Sequence, residues 1–464
     1  MAEQKHIVVL GAGFGGLNFT RKFRHSDARI TIVDQWNHHL FQPLLYQVAT
    51  AGLSMPDIAA PVRTIFSKRK DVRTLMDRVQ RVDLEKKQVH LENGVLDYDY
   101  LVVGLGMVTS YFGNKHWADH TIGLKSLRDA RRIRQRVLAS FEHAEAIDDE
   151  ELRRRLMTVV VIGGGPTGVE MAGALSELTK RIFRKDFRSI RPEESRIVLV
   201  EGLKRLLPTY AEDSSARTQR ALEERGVEVI LGELAKDIQS GRVELPSQTI
   251  EAGTIIWTAG VSASPIVAAL PVEKDRRGRP TVNADTSLPD HPEVFIIGDN
   301  ARFVGEDGKE VPGVSPAAIQ MGQHVAKLLK KELKNGAPLA PHERPHFKYF
   351  DKGTMATIGR SSAVAELAGG KLRFGGFFAW ALWLGVHLAF LVGFRNRIAV
   401  LLQWFYAYLR YRPAARVFED SPETQFEHPR TKLREQGDEA QLSPLEADTT
   451  PARKPPEARA SARP

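Results

Sequence analysis

The sequence predicts an α/β protein that contains one strand–turn–helix unit twice and ends in a segment of different composition. In the first copy, the apolar run Ile7–Leu10 leads through the glycine-rich turn Gly11–Gly16 into the helical stretch Leu17–Arg24. The same order of elements recurs from Val159 onward, whereas the last part of the chain is rich in aromatic residues and arginine. With 464 residues, of which 42% are hydrophobic, the chain is long enough for each unit to bury its own core.

The amino-acid composition excludes several kinds of chemistry. The chain has no cysteine, which rules out disulfides, thiolate metal ligands, cysteine-ligated iron–sulfur clusters and a cysteine nucleophile. We predict no metal site. Its 66 Lys and Arg residues against 57 Asp and Glu give a net charge of +9, which suits an anionic surface or an anionic substrate without choosing between them. The few residues before Ile7 are polar, so we predict no secretory signal and a protein that faces the cytoplasm.

The first glycine-rich turn has the pattern GxGxxG between a strand and a helix, which is typical of Rossmann-type dinucleotide-binding domains. In that pattern Gly11 permits the tight turn, Gly13 lets the backbone approach a pyrophosphate, and Gly16 lets helix and strand pack closely. The helix offers its free N–H groups to the phosphates. The next strand, Arg29–Val33, ends in Asp34, whose carboxylate is placed to bind a ribose hydroxyl.

The second copy of the unit has the same context. The apolar run Val159–Ile162 precedes Gly163, Gly165 and Gly168, which take the same three roles. The next strand ends in Glu201, further along than the usual ~20 residues because a charged insert precedes it. An acidic residue at this position repels a 2′-phosphate, so we predict a preference for NAD over NADP and leave its strictness open.

The order of the two units along the chain predicts which cofactor each one binds. After the second unit, the strand-like run Val294–Ile297 leads into Gly298 and Asp299, and a carboxylate at such a strand end can hold a flavin ribityl hydroxyl. The first unit would then be completed by residues from beyond the second. This arrangement resembles the two-dinucleotide flavoprotein reductases, which implies FAD on the first unit and NADH on the inserted one.

The sequence also resembles one family within that group. Most such flavoproteins pass electrons through a redox-active cysteine, which this chain lacks, so its flavin must hand electrons directly to an acceptor. The chain is similar to the type II NADH dehydrogenases, the NADH:quinone oxidoreductases that do not pump protons. The similarity covers roughly residues 7–412 and lies in His39–Tyr46, Gly163–Glu170, Trp257–Gly260, Val294–Asp299, Ala318–Gln320, Phe347–Gly359 and Phe377–Tyr411.

The family resemblance implies roles for three more residues. Glu170 would lie where nicotinamide, flavin and quinone meet, Gln320 would lie in the quinone site, and Lys352 would lie near the flavin. The family commonly has a second glutamine four positions before Gln320, where this sequence has Pro316. That departure leaves the preferred quinone open.

The predicted reaction is hydride transfer from NADH to flavin N5, followed by two-electron reduction of a membrane quinone without proton pumping. Two alternatives stay open at this point. One is a soluble NAD(P)H-dependent reductase of an electron-carrier protein, which has no use for an aromatic C-terminal segment. The other is a flavoprotein with a regulatory nucleic-acid interaction, favoured by the charge of +9 but opposed by the interleaving of the C-terminal basic residues with Leu and Phe. We expect no nucleic-acid partner.

The segment Phe374–Tyr411 is predicted to attach the protein to a membrane without crossing it. Phe377–Phe394 has His387 as its only ionisable group and lies at the lower limit of length for a spanning helix. Arginines follow, as expected for a helix in the lipid headgroup region. Residues at three- and four-residue steps form an aromatic stripe there: Trp380, Trp383, His387, Phe390 and Phe394.

The alternatives for this segment are a spanning helix and a buried core or dimer helix, and a homodimer is left open. The predicted partners are quinone and the lipid surface at the cytoplasmic face of the cell membrane. The predicted parts of the chain are an FAD-binding domain over 1–120 and 280–345, an NADH-binding domain over 121–279, a membrane-attachment region over 346–412 and a disordered tail over 413–464.

Overall fold

The computed structural model describes residues 4–410 and 415–419. The tail predicted to be disordered lies outside these residues, apart from 415–419. Within the described part, the first glycine-rich unit forms a five-stranded parallel sheet. Its strands, in spatial order, are Val294–Ile296, Tyr100–Val103, Lys5–Leu10, Ala28–Asp34 and Val72–Met76. The strand that follows the second unit in sequence therefore lies at the edge of the first sheet.

The central strands of this sheet are almost wholly apolar because both of their faces are covered. The helix Phe14–Lys22, which follows the first glycine-rich turn, packs against the helix Ser315–Asn335. A Cβ atom on Gly322 would overlap the carbonyl group of Gly15. Glycine is therefore required where the two helix backbones meet. This contact packs the helix Ser315–Asn335, which lies late in the sequence, against the first glycine-rich unit.

The second glycine-rich unit forms another five-stranded parallel sheet within the described residues. Its strands, in spatial order, are Ile122–Gly123, Thr254–Trp257, Thr158–Ile162, Arg196–Glu201 and Val227–Leu231. The helices of this half are Leu127–Ala146, Glu150–Leu156, Pro166–Glu177 and Glu212–Glu223. The charged stretch 127–156 forms the first two of these helices. Asp149 caps the second of them, because its carboxylate accepts hydrogen bonds from the N–H groups of Glu151 and Leu152.

Smaller elements connect and flank the two sheets. The antiparallel pair Met107–Thr109 and Val261–Ala263 joins the two halves. The other short strands are His38–Leu40 with Ala59–Pro61, then Val79–Asp83, Gln88–Leu91 and Gly94–Asp97, and finally Asp237–Gln239, Arg242–Glu244 and Thr249–Glu251. The other short helices are Leu45–Ala49, Met55–Ile58, Val62–Ile65 and Pro265–Ala268.

A buried ionic network holds the returning strand Val294–Ile296 in place. The guanidinium group of Arg344 lies 2.9 Å from Asp285 Oδ2 and 2.9 Å from Glu332 Oε1, and all three side chains are buried. Arg344 Nη1 also donates to the Pro292 carbonyl oxygen at 2.7 Å, next to the start of the strand. Because each charge has a partner, the network avoids the cost of an unpaired buried ion.

The C-terminal region consists of a small sheet followed by two helices. The antiparallel strands are Thr354–Thr357, Ala363–Leu367 and Leu372–Gly376, and the helices are Phe377–Phe390 and Phe394–Arg410. The region predicted to attach to a membrane therefore begins with a β-sheet, which packs against the helix Pro166–Glu177. Among the helices that the structure describes, none combines the length and apolar character needed to cross a membrane.

Candidate functional site

The first glycine-rich turn has the shape needed to receive a pyrophosphate. Gly11 has a φ of 94°, and a Cβ atom on it would overlap the Gly104 carbonyl group. A Cβ atom on Gly16 would likewise overlap the Gly11 carbonyl group. At Gly13, by contrast, a Cβ atom would meet nothing within 4 Å. Two of the glycines are thus required by protein packing, and Gly13 faces the open space where a phosphate group can approach the backbone.

Asp34 ends the neighbouring strand beside this turn. Its carboxylate accepts hydrogen bonds from the backbone N–H of Ala12 at 2.7 Å and of Trp36 at 2.8 Å. Burial raises the pKa of Asp34, and these two hydrogen bonds oppose the rise. A cavity of about 130 Å³ opens next to the carboxylate, with the Trp36 ring and Arg63 in its wall. The arrangement fits a nucleoside whose ribose contacts Asp34.

The second glycine-rich turn repeats this geometry closely. Gly163 has a φ of 111°, and a Cβ atom on Gly168 would overlap the Gly163 carbonyl group, whereas Gly165 faces open space. Glu201 accepts hydrogen bonds from the N–H groups of Gly164 at 2.6 Å and Leu203 at 2.8 Å. The structure therefore places Glu201 beside the second turn as it places Asp34 beside the first, despite the longer spacing in sequence.

Asp299 lies in the turn that follows the returning strand, directly after Gly298. Burial raises the pKa of Asp299, and the nearby positive charges of Lys125 and Arg279 act in the opposite direction. Burial in turn lowers the pKa of Lys125. The sequence analysis missed Lys125, because a single lysine before a helix carries no motif. The structure shows it as a positive charge facing the carboxylate at the carboxyl edge of the first sheet.

These residues fit FAD at the first turn. The open position at Gly13, the carboxylate of Asp34 beside a nucleoside-sized cavity, and the carboxylate of Asp299 at the far strand end are spread along one sheet edge. Parallel strands bring their carboxyl ends together, so a long dinucleotide can contact all of them.

Glu170 is the fifth residue of the helix Pro166–Glu177, which follows the second turn. Burial raises the pKa of its carboxyl group to about 8, although the backbone N–H of Thr357 and the side chain of Trp383 act to lower it. The Thr357 N–H donates to Glu170 Oε1 at 3.4 Å. At neutral pH the carboxyl group is therefore mostly protonated, and it can both donate and accept a hydrogen bond.

Gln320 and Lys352 are joined by the segment Phe350–Thr357. The Gln320 amide donates to the Phe350 carbonyl oxygen at 3.0 Å and accepts from the Phe350 N–H at 2.9 Å. Lys352, two residues further on, is exposed and holds its ammonium group 5.2 Å from the centre of the Phe390 ring. Since Glu170 contacts Thr357 at the other end, the segment links all three residues.

A cavity of about 110 Å³ is lined by Thr357 at the end of this segment and by residues of the helix Leu45–Ala49, the helix Pro166–Glu177 and the C-terminal helices. Its walls include the polar side chains of Tyr46, Gln47 and Thr357 and the rings of Trp383 and Trp404. The sequence analysis quoted Tyr46 within a family motif but gave it no role, and it did not consider Gln47. The available signal was the polar pair inside the otherwise apolar helix Leu45–Ala49.

The aromatic stripe of the penultimate helix is divided between the protein interior and the exposed surface. Trp383 is 1% exposed and stacks on His387 with ring centres 3.9 Å apart. Burial lowers the pKa of His387 to about 4, so the ring is neutral at neutral pH. Phe390 at 40% and Phe394 at 79% are the exposed members of the stripe, and Phe377 and Phe378 are exposed rings outside it. The three- and four-residue spacing groups the stripe residues on one face of the helix, but it does not show which of them contact the protein and which are exposed.

Comparison with known proteins agrees with this geometry. Residues 5–322 match the family model of the pyridine nucleotide-disulphide oxidoreductases, and residues 352–413 match that of the NDH2 C-terminal domain. Over 423 residues the chain is 40% identical to type II NADH:quinone oxidoreductase Ndh of Mycobacterium tuberculosis, covering 88% of this chain and 89% of that protein. Over 380 residues it is 29% identical to type II NADH:quinone oxidoreductase of Staphylococcus aureus, covering 79% and 90%.

The solved structure of NDH2 from Plasmodium falciparum in complex with NADH has the same fold, with a TM-score of 0.82 at 19% identity. The match covers 89% of this chain and 99% of that one. Two GxGxxG turns on two parallel sheets, with the Asp299 strand returned to the first, define a two-dinucleotide pyridine nucleotide oxidoreductase. Within this class, the chain belongs to the type II NADH:quinone oxidoreductases. The family resemblance and the fold class inferred from the sequence are confirmed.

Proposed function

We infer that this chain is an FAD-dependent NADH:quinone oxidoreductase that does not pump protons. The observation that carries this inference is that Gln320 and Glu170 contact the two ends of the segment Phe350–Thr357, which contains Lys352, and that Thr357 lines a cavity together with residues of the last two helices. When bound, FAD supplies the ability to accept a hydride from NADH and to release two electrons to a quinone. The protein supplies binding, orientation and control of protons.

Two sets of residues hold the nucleotides in this proposal. The backbone at Gly13 and the free N–H groups of the first helix bind the FAD pyrophosphate, and Asp34 binds the adenosine ribose. Glu201 binds the ribose of NADH at the second turn and disfavours a 2′-phosphate. The full sets are Gly11, Gly13, Gly16, Asp34, Gly298 and Asp299 for FAD and Gly163, Gly165, Gly168 and Glu201 for NADH.

The three remaining site residues act, in this proposal, where electrons pass from the flavin to the quinone. Glu170 holds a proton at neutral pH and can give it up to a neighbouring acceptor, since its pKa of about 8 lies close to the working pH. Gln320 fixes the course of the segment through two hydrogen bonds to Phe350. Lys352 adds a positive charge next to the aromatic residues of the penultimate helix, where it stabilises negative charge that develops on a bound quinone.

We also propose that the last two helices attach the protein to the cytoplasmic face of the cell membrane, where quinone is dissolved. Their outward side carries several large exposed apolar side chains, which a lipid surface would remove from water. Among them are Phe377, Phe378, Phe394, Leu401, Leu402 and Phe405. Arg395 follows the exposed ring of Phe394 and suits anionic lipid headgroups.

The spectrum of the purified protein tests the oxidoreductase proposal. We expect flavin absorbance that NADH bleaches under anaerobic conditions and that a short-chain quinone restores. A protein that binds flavin but is not reoxidised by any quinone would contradict the proposal. A carrier protein used as acceptor in the same assay distinguishes the soluble-reductase alternative.

The attachment proposal has a separate test. The double variant Phe378→Asp with Phe394→Asp should move the protein from the membrane pellet to the supernatant without loss of flavin. The matched control is Val95→Asp, which changes an exposed apolar residue far from these helices and should stay in the pellet. Protease digestion of inverted vesicles but not of spheroplasts would support the cytoplasmic face, and the reverse result would overturn it.

A further inference from the structure

The cavity behind the last helix contains a hydrogen-bonded chain that the proposed function does not use. We propose that Tyr46 is the hydrogen-bond donor to a carbonyl oxygen of the quinone, and that Gln47, held by Trp404, is the positioning residue that makes Tyr46 a donor. The proposal rests on the proposed function, because a quinone is the ligand that it places in the cavity.

The direction of each hydrogen bond follows from the chemistry of the groups. Trp404 Nε1 lies 2.8 Å from Gln47 Oε1, and an indole N–H can only donate. The oxygen end of the Gln47 amide is therefore fixed toward Trp404, and its N–H end donates to the Tyr46 hydroxyl oxygen at 3.0 Å. The tyrosine oxygen thus accepts from Gln47. Its own hydrogen must point elsewhere, toward Thr357 or an occupant of the cavity.

Two further contacts hold the hydrogen-bonded series Trp404–Gln47–Tyr46 in position. The Tyr46 hydroxyl lies 3.1 Å from Thr357 Oγ1, and the Thr357 N–H contacts Glu170. The last helix is anchored independently, because the Asn396 side chain donates to the carbonyl oxygens of Pro56 and Ala59 at 3.1 and 3.2 Å. The contacts therefore link a docked helix to Glu170 through Thr357, whose hydroxyl lies next to Tyr46 and whose backbone N–H donates to Glu170.

The cavity suits a quinone head group. Such a head group is flat and apolar, and its two carbonyl oxygens can only accept hydrogen bonds. Trp380, Trp383 and Trp404 supply flat apolar walls, and Tyr46 and Gln47 lie in the same wall as polar groups. A tyrosine hydroxyl that already accepts from Gln47 can donate its hydrogen to a quinone carbonyl oxygen in place of Thr357 Oγ1, and it then stabilises the negative charge that gathers on that oxygen as electrons arrive.

The amide-to-acid variant Gln47→Glu tests the direction of the hydrogen bond between Gln47 and Tyr46. A carboxylate accepts from Trp404 as the amide does, but it also accepts from Tyr46 and so takes up the tyrosine hydrogen. The comparison variant is Gln47→Met, which has similar volume and leaves the tyrosine hydrogen available. We expect kcat/KM for quinone to fall about tenfold in Gln47→Glu and in Tyr46→Phe, and clearly less in Gln47→Met. Tyr98→Phe, which removes a buried hydroxyl in the first half of the fold, is the control and should match the wild type.

Stopped-flow measurement separates this role from a structural one. The rate at which NADH bleaches the flavin should be unchanged in all of these variants, and only reoxidation by quinone should slow. If Gln47→Met is as slow as Gln47→Glu, or if Tyr46→Phe is reoxidised at the wild-type rate, the proposal is overturned. A wild-type protein that no quinone reoxidises would instead overturn the proposed function itself.

Discussion

Replacing Glu170 by glutamine should remove a pH dependence that the folded protein owes to one buried carboxyl group. Burial raises the pKa of this group from 4.5 to about 8. Between these values the folded protein keeps a proton that the unfolded chain has released, so stability falls as the pH rises. The contribution of Glu170 to the unfolding free energy is fully present below pH 4.5 and is lost by pH 8. At about 1.4 kcal/mol for each pH unit, this loss amounts to about 5 kcal/mol. The glutamine side chain of the Glu170→Gln variant is neutral throughout and shows no such change.

Denaturant unfolding of wild type and Glu170→Gln at pH 5.5, 7.0 and 8.5, with equal flavin content, measures this difference. The unfolding free energy of the wild type minus that of Glu170→Gln should become steadily smaller as the pH rises. The pH dependence from all other groups is the same in both proteins and cancels in this difference. The same variant should lower kcat about 100-fold, because an amide cannot deliver a proton, and should lack the fall in wild-type turnover above pH 8. A stability difference that is the same at all three pH values would refute the reasoning.

Three further outcomes follow from the structure. Gly13→Val places a side chain in the open space reserved for the pyrophosphate, so the purified variant should be colourless; normal flavin content would contradict the assignment. Glu201→Ala should move the ratio of kcat/KM for NADH over NADPH toward one, and an unchanged ratio would mean that Glu201 does not select the cofactor. Arg344→Met should leave Asp285 and Glu332 as unpaired buried charges and lower the unfolding free energy by about 3–5 kcal/mol, measured by denaturant titration; a loss below about 1 kcal/mol would argue against the network.

The turns and strand ends that the sequence predicts have the predicted positions in the fold, and these positions depend on local geometry. The turns at Gly11 and Gly163 need a left-handed backbone and close packing, and only glycine meets both requirements, so a short pattern is enough to identify them. Asp34 and Glu201 follow from the same logic, because each one ends the strand next to its turn. The long insert before Glu201 changed the spacing without changing the position in the sheet.

The residues that sequence reasoning missed are joined over long distances in the chain. Trp404 and Gln47 are 357 positions apart, and no local pattern connects them. Lys125 can be recognised as a site residue only from its position near Asp299, and the returning strand brings Asp299 to the first sheet. The sequence does not divide the aromatic stripe of the penultimate helix into buried and exposed members for a similar reason: lipid and a protein core favour the same apolar residues. Only the position of Trp383 against Tyr46 and Trp404 shows which face meets the protein.

The return of Val294–Ile296 to the edge of the first sheet has a consequence for the order in which the protein is made. A ribosome releases the chain from its N-terminus, so the first sheet stays one strand short until the entire second unit has emerged. The segment Phe350–Thr357 and the two apolar helices follow later still. Flavin can be held at both ends only after the NADH-type unit has had time to fold. The proposed site of electron exit is completed last, together with the exposed apolar side chains of the last two helices. A nascent chain therefore gains the proposed electron-exit site only when the surface proposed to meet the membrane is also complete.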